Sequence, residues 1–301
     1  ILSISFISSW RVLSNCKADS ADLTARGGAV FAYANVALVR SRVTASQAHA
    51  NYGVAEGGGV YAAGDVNIKY STIDANSAAA ENPPPFNTER KAFGGGLFVE
   101  GGGVVRGSTI SGNSAIVGGG AVFINADGLI DIVNSTVSGN TASENVGGML
   151  LYLATLNNST IAFNREGSKY ASGVMVGDSG DIDMQSSIIA MNEAADSATG
   201  IDFRSGTSAI VTGSHNLVRA SASTLPADTL HGDPLLVALA DNGGPTRTHA
   251  LQAVSPAIDA GNNAVPLSND QRGTGFRRVA HDVADIGAYE FDDTIFVDGF
   301  D

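Results

Sequence analysis

Residues 108–123 read STISGNSAIVGGGAVF. A short run of hydroxyl residues around one isoleucine ends on a Gly-Asn turn; three glycines follow, then an apolar triplet. The order returns in STVSGN at 135–140 and in STIAFN at 159–164. Aligned on that turn, the chain places Asn15, Ser46, Asn76, Asn113, Asn140, Asn164, Asn192 and Asn216 at steps of 31, 30, 37, 27, 24, 28 and 24 residues. Glycine clusters come after most turns, at 27–28, 57–59, 94–96, 118–120 and 147–148, and fade to Ser172-Gly173 and Thr199-Gly200.

Short apolar runs between turn residues, repeated at this length, fit the coil of a parallel β-solenoid, where each repeat buries its apolar side only by stacking on the next. The sequence therefore predicts an all-β fold: a right-handed, single-stranded parallel β-helix of about eight coils over residues 1–220, with an irregular C-terminal cap over 221–291. Ile73, Ile110, Val137, Ile161 and Ile189 would then lie above one another at about 4.8 Å and point inward. Asn76, Asn113, Asn140, Asn164 and Asn192 would form a second column, each amide bonding to the coils above and below. The glycines suit the next corner, where the chain needs positive φ or close backbone approach.

Composition agrees with a packed rod. Hydrophobic residues make up 44% of the 301 positions and charged residues 16%, which excludes a disordered chain. A net charge of −13 offers no basic stripe for phosphates, so nucleic acid is not an expected partner. No apolar run reaches the roughly 18 residues of a membrane-spanning helix. The single cysteine, Cys16, rules out an internal disulfide. The opening ILSISFISSW alternates serine with apolar residues and reads as a strand rather than a signal peptide, with Ile4, Phe6 and Trp10 as core candidates. Its edge is expected to be covered by another molecule or another segment.

Two departures break the pattern. Residues 79–93 carry three consecutive prolines, which forbid ladder pairing and predict a loop extruded from one corner. After Asn216 the repeat stops, and the blocks HGDPLLVALADNGGPTRTHAL (231–251), SPAIDAG (255–261), DQRG (270–273) and DIGAYEF (285–291) follow. Asp259, Asp270, Arg272, Arg277, Asp282 and Asp285 are placed to hold an irregular cap by hydrogen-bonded ion pairs, with His249 and His281 packed inside it. Residues 292–301, FDDTIFVDGFD without its first letter, form an acidic and aromatic tail, read as a docked last strand at 294–297 or a free sorting segment.

These four blocks, in this order, resemble the choice-of-anchor Q region of many secreted bacterial parallel β-helix proteins. The upstream GGAV-type and SGN-type elements are similar to polymorphic outer-membrane-protein repeats, so the resemblance covers nearly the whole chain. It implies an exported rod, secreted or at the cell surface of a bacterium, and no single activity. SPAIDAG also occurs in the last coils of some β-helical polysaccharide lyases.

The densest charged cluster is DSGDID at 178–183, with Asp196, Asp202 and Arg204 one coil later. Period-two alternation puts Asp181 and Asp183 on one strand face and Asp202 and Arg204 on another. Asp181, Asp183, Asp202 and Arg204 are the catalytic candidates for glycan cleavage, and Asp178, Asp181 and Asp183 the candidate Ca²⁺ ligands. The plain alternative is a solvated acidic face. No phosphate loop, zinc run or nucleophile elbow occurs, and no cofactor is expected beyond that Ca²⁺. The reading is a non-enzymatic extracellular or cell-surface β-helix with an adhesion, matrix or assembly role, whose partners are other copies of itself or a cell-surface glycan. The alternatives are a polysaccharide lyase or hydrolase acting on an acidic glycan through the Asp-rich face, and a carbohydrate-binding module.

Overall fold

A computed structural model describes residues 11–21, 23–81, 91–124, 128–168, 170–194 and 200–293. The candidate core residues Ile4, Phe6 and Trp10, the prolines of the 79–93 loop, Asp196 and the 294–301 tail lie outside these. Within the described residues the regular structure is all β, and the strands pair in parallel. The Ser-Thr-Ile strands stack in one eight-stranded sheet, from Val12–Ser14 through Arg42–Thr44, Thr72–Asp74, Thr109–Ser111, Thr136–Ser138, Thr160–Ala162 and Ile188–Ala190 to Leu217–Val218. Their register is residue for residue: Ile73 on Ile110, Ile110 on Val137, Val137 on Ile161, Ile161 on Ile189. All five are buried in the main apolar core, as the alignment predicts.

Two further sheets close the coil. One carries Val30–Ala32 and Val36–Val39 with their counterparts in later coils; the other runs from Lys17–Ser20 to Glu193–Ala194. Coils with a strand in all three sheets begin at Val30, Val60, Leu97, Val122, Met149 and Val174, so the solenoid makes about six turns. The expectation of about eight counts the partial rungs at the two ends, Val12–Ser14 and Leu217–Val218, as coils. In two coils the first sheet loses its corner, and Met149–Asn157 and Val174–Gln185 run through it as long strands.

The asparagine column exists, and its chemistry is more specific than a turn preference. Asn76 donates from both its backbone N and its Nδ2 to Asn113 Oδ1, each at 2.9 Å. The same double donation runs from Asn113 to Asn140, Asn140 to Asn164 and Asn164 to Asn192. Each amide thus satisfies buried backbone groups on neighbouring coils, where an unpaired donor would be expensive. The alignment errs at both ends. Asn15 is the corner residue at φ 54°, and the column position belongs to Cys16, whose N donates to Ser46 Oγ. Asn216 belongs to another column.

That other column is a serine ladder. Ser41 N donates to Ser71 Oγ, Ser71 N to Ser108, Ser108 N to Ser135, Ser135 N to Ser159, Ser159 N to Ser187, and Ser187 N to Asn216 Oδ1. Just before it the chain turns through the left-handed region at Arg40, Tyr70, Gly107, Asn134, Asn158, Ser186 and His215, with φ between 45° and 58°. A non-glycine residue there costs roughly 1–2 kcal/mol. The inward serine that follows ties each corner to its neighbour and keeps it in place.

The C-terminal region splits into two parts. Leu230 bridges Leu217, and Ser221 bridges Phe203, so residues 219–231 close the last coil. The remainder folds back and lies along the outer face of the Ser-Thr-Ile sheet. Thr246 Oγ1 donates to Gly107 O, Thr109 Oγ1 to Arg247 O, Thr136 Oγ1 to Gln271 Oε1, and Ala288 N to Thr160 Oγ1, all at 2.6–3.0 Å. Farther along, Ser186 Oγ donates to Asn262 O at 2.9 Å. The outward column changes from Thr109, Thr136 and Thr160 to Ile188 and Leu217 at the point where Leu251, Ala257 and Ile286 pack on it.

Its ion pairs are partly those expected. Arg272 pairs with Asp270 at 2.6 Å, its guanidinium between the rings of Phe276 and Tyr289. Asp285 accepts from Asp259 N and Phe291 N, joining the SPAIDAG and DIGAYEF blocks. Fully buried Arg278 faces Glu290 at 3.4 Å. Arg277 and Asp282 are exposed instead. His249 is buried as expected, but His281 is exposed beside Asp293.

Candidate functional site

The Asp–Arg cluster of 178–204 is dispersed. Asp181 and Asp183 do share the outer face of Val174–Gln185. Asp183 Oδ1 accepts from Gln185 Nε2 at 3.0 Å and Thr212 Oγ1 at 3.3 Å, while Asp178 Oδ1 accepts from Thr207 N. Arg204 stacks in register with Met175, on the other limb of the same long strand, with its guanidinium over Tyr170 at 5.9 Å. Asp202 precedes the strand Phe203–Ser205 and does not share its outer face with Arg204. It is fully buried and ends the asparagine ladder. Its Oδ1 accepts from Asn192 N and Nδ2; its Oδ2 accepts from Ala220 N and Arg219 Nε. Burial pushes its carboxyl above the ordinary range, with these donors pulling the other way. Four donors on one buried carboxylate make a terminus for the ladder, where an acceptor-only group is what the last Asn needs.

Asp178, Asp181 and Asp183 do not converge as a calcium cage needs: their carboxylates do not all come within 4.8 Å of one another, and those of Asp178 and Asp183 accept from separate neighbours. Among the described residues, the three ligand-type side chains that come within 4.8 Å of one another are His281, Asp292 and Asp293, all exposed. Exposed carboxylates meeting one imidazole at a surface do not by themselves make a metal site.

A different constellation is built at the other end of the rod. Near the first coils the folded-back layer stops short, and its turn at 241–247 forms one wall of a groove of about 530 Å³ against Arg11, Arg40, Arg42, Tyr70 and Thr72. A second hollow of about 450 Å³ shares Arg40, Tyr70 and Pro245 with the first and continues past Arg106 to Asn134, walled by residues 266–274. The groove therefore follows the corner column Arg40, Tyr70, Gly107, Asn134 along the rod. At about 4.8 Å per coil that is roughly 14 Å.

Its electrostatics are unlike the rest of the molecule. Arg42 makes a two-point contact with nearly buried Asp74, Nε to Oδ1 at 2.9 Å and Nη2 to Oδ2 at 2.5 Å. The hydrogen bond to Asp74 raises the Arg42 pKa further, so this guanidinium is a fixed cation and no base. Arg247 reaches the same carboxylate at 3.9 Å and is half exposed. Arg40 lies over the Tyr70 ring at 5.6 Å. Among the described residues Arg11, Arg40 and Arg106 have no carboxylate partner.

The arginines were not singled out by the repeat. The signal is present in register: the outward position that is Thr72, Thr109 and Thr136 in later coils is Arg42 one coil earlier. Neither the protein-family models, nor the curated proteins, nor the solved structures compared with this chain match it.

Proposed function

We propose that the chain is a non-catalytic extracellular or cell-surface β-helix of a bacterium, with an adhesion, matrix or assembly role. The observation that carries this is Asp202. The carboxylate best placed by sequence to cooperate with Arg204 terminates the buried ladder, and Asp181 and Asp183 are left on a strand surface without it. Cleavage of a glycosidic bond needs an acid and a base placed across it, and these groups face different ways. The order of the HGDPLL, SPAIDAG, DQRG and DIGAYEF blocks supports the finer reading of an anchor-bearing, exported rod of the choice-of-anchor Q type. Their interdigitated packing, Asp285 clasping Asp259, supports reading them as one unit.

A screen of acidic polysaccharides against the full chain, with and without Ca²⁺, tests the first part: no new reducing ends or unsaturated products are expected. Turnover abolished by Arg204→Ala or Asp181→Ala overturns it in favour of a lyase or hydrolase. Labelling of intact producing cells with an antibody to the chain tests the second, and signal only after lysis overturns the surface assignment.

A further inference from the structure

We propose that the arginine groove between the first coils and the folded-back layer binds a linear acidic glycan, its carboxylate or sulfate groups lying along the corner column. The partner class rests on the cell-surface reading above; the groove itself does not. The chain has 30 acidic residues to 17 basic ones, yet six arginines, Arg11, Arg40, Arg42, Arg106, Arg247 and Arg272, line one groove. Two carboxylates meet them, Asp241 at the rim and Asp74 beneath Arg42; Asp270 on the far wall is taken by Arg272. In so acidic a chain, acidic partners for the other arginines are plentiful in supply and absent in place. A cationic cleft left open in this way is a site for an anion from outside.

The shape selects among anions. The groove is long and narrow along the rod, with Arg11, Arg40 and Arg42 at the first coils and Arg106 two coils beyond Arg40, which suits a linear polymer that carries more than one anionic group. Between the arginines the lining adds the outward Thr72 and the rings of Tyr70 and Pro245. Hydroxyls and apolar ring faces are what a sugar chain meets, whereas an extended peptide gains most from an open backbone edge. Here the coil backbones along the groove are already paired with one another: Val66 to Lys69 with Gly103 to Arg106, and Thr72 to Asp74 with Arg42 to Thr44. The net charge of −13 repels a polyanion at a distance, but screening within about 8 Å at physiological salt leaves the groove's own cations dominant at contact.

Affinity electrophoresis of the full chain decides it, in gels carrying polygalacturonate, dextran sulfate, neutral dextran or poly-glutamate at physiological salt. Retardation by polygalacturonate or dextran sulfate is expected, the stronger of the two naming the anionic group, with none by neutral dextran. Arg40→Gln and Arg106→Gln should each weaken it about tenfold, the loss of one charge-assisted contact, and Arg106→Lys less. Lys17→Gln, a cation on another sheet paired with Asp19, should change nothing. Unchanged thermal melting of each variant separates lost binding from lost folding. Failure to bind either acidic glycan, equal binding to neutral dextran or poly-glutamate, or undiminished binding by the folded Arg40→Gln/Arg106→Gln pair would each overturn the proposal. Depolymerisation of the bound glycan would overturn the non-catalytic reading while supporting the groove.

Discussion

At the scale of single residues, the rod is held by buried side chains that stand in for backbone. Asn140 donates to Ile110 O, Ser138 O and Asn164 Oδ1, and accepts from Asn113 N and Nδ2. Asn140→Ala strands several of these groups at once and should cost about 3 kcal/mol or more in chemical denaturation. Asp202→Asn keeps the shape but turns an NH₂ toward existing donors and takes Arg219's partner. We expect a loss of about 2 kcal/mol, where exposed Asp181→Ala should stay within about 0.5 kcal/mol. An equal, small effect at both positions would remove Asp202 from the ladder. Glu290 supplies a pH signature. Burial pushes its carboxyl up to about 7 from 4.5, with Asp285 N and Arg278 pulling the other way. The folded state therefore keeps a proton that the unfolded chain releases first. Its contribution is full below pH 4.5 and lost as pH rises through about 7, an effect of about 3 kcal/mol. Asp285, also raised by burial, adds to this, and His249, lowered by burial, opposes it. The difference in stability between wild type and Glu290→Gln, measured from pH 4 to 8, isolates the group and should slope in that direction.

At the scale of elements, the Ser-Thr-Ile strand serves two faces. The serine and isoleucine point into the coil, and the threonine outward, where the folded-back layer docks on its hydroxyl at Thr109, Thr136 and Thr160. Where docking becomes apolar, the same column becomes Ile188 and Leu217. Ile286→Ala opens a cavity at a fully buried contact of that second core and should cost about 3 kcal/mol. Hydrogen exchange should then rise through residues 255–291 while the asparagine ladder stays protected; exchange rising equally in both would mean the layer and the rod are one cooperative unit. This division marks what the sequence could and could not disclose. A coil repeat sets the same residue type at the same place in every turn, so the isoleucine and asparagine columns were legible. The serine ladder was hidden inside a triplet that reads as the start of a strand. The folded-back layer has no period, and its contacts join residues more than a hundred positions apart, such as Thr136 and Gln271. Asp202 was misread because the coil before it shortens its distance to the ladder: Asn192 meets an acceptor ten residues on instead of a full turn later.

At the scale of the whole molecule, a solenoid is close to one-dimensional, each coil depending on its neighbours. The folded-back layer breaks that symmetry, since it ties coils from Gly107 to Ser186 to a second set of contacts. Among the described residues, the coils from Val12 to Asp74 have only their neighbours and one wall of the groove. Three of the groove's arginines, Arg11, Arg40 and Arg42, sit in this less supported part. The set was illegible because Arg247 arrives from the layer, and because Arg106 stands in the column of Val39 and Lys69, one place before that of Arg40. A ligand spanning the groove would connect Arg11, Arg40 and Arg42 to the coil of Arg106 and to Arg247, supplying the cross-coil tie that the layer supplies elsewhere. Anything that binds only the folded form stabilises it by mass action. Hydrogen exchange on the free protein should therefore show the lowest protection in strands 12–14, 42–44 and 72–74 and the highest in 136–138 and 160–162. Saturating polygalacturonate should raise protection in the first set by about tenfold or more and leave the second unchanged. Protection that is uniform in the free rod would count against the layer as a brace. A ligand effect centred on the 181–183 face instead would move the site away from the groove.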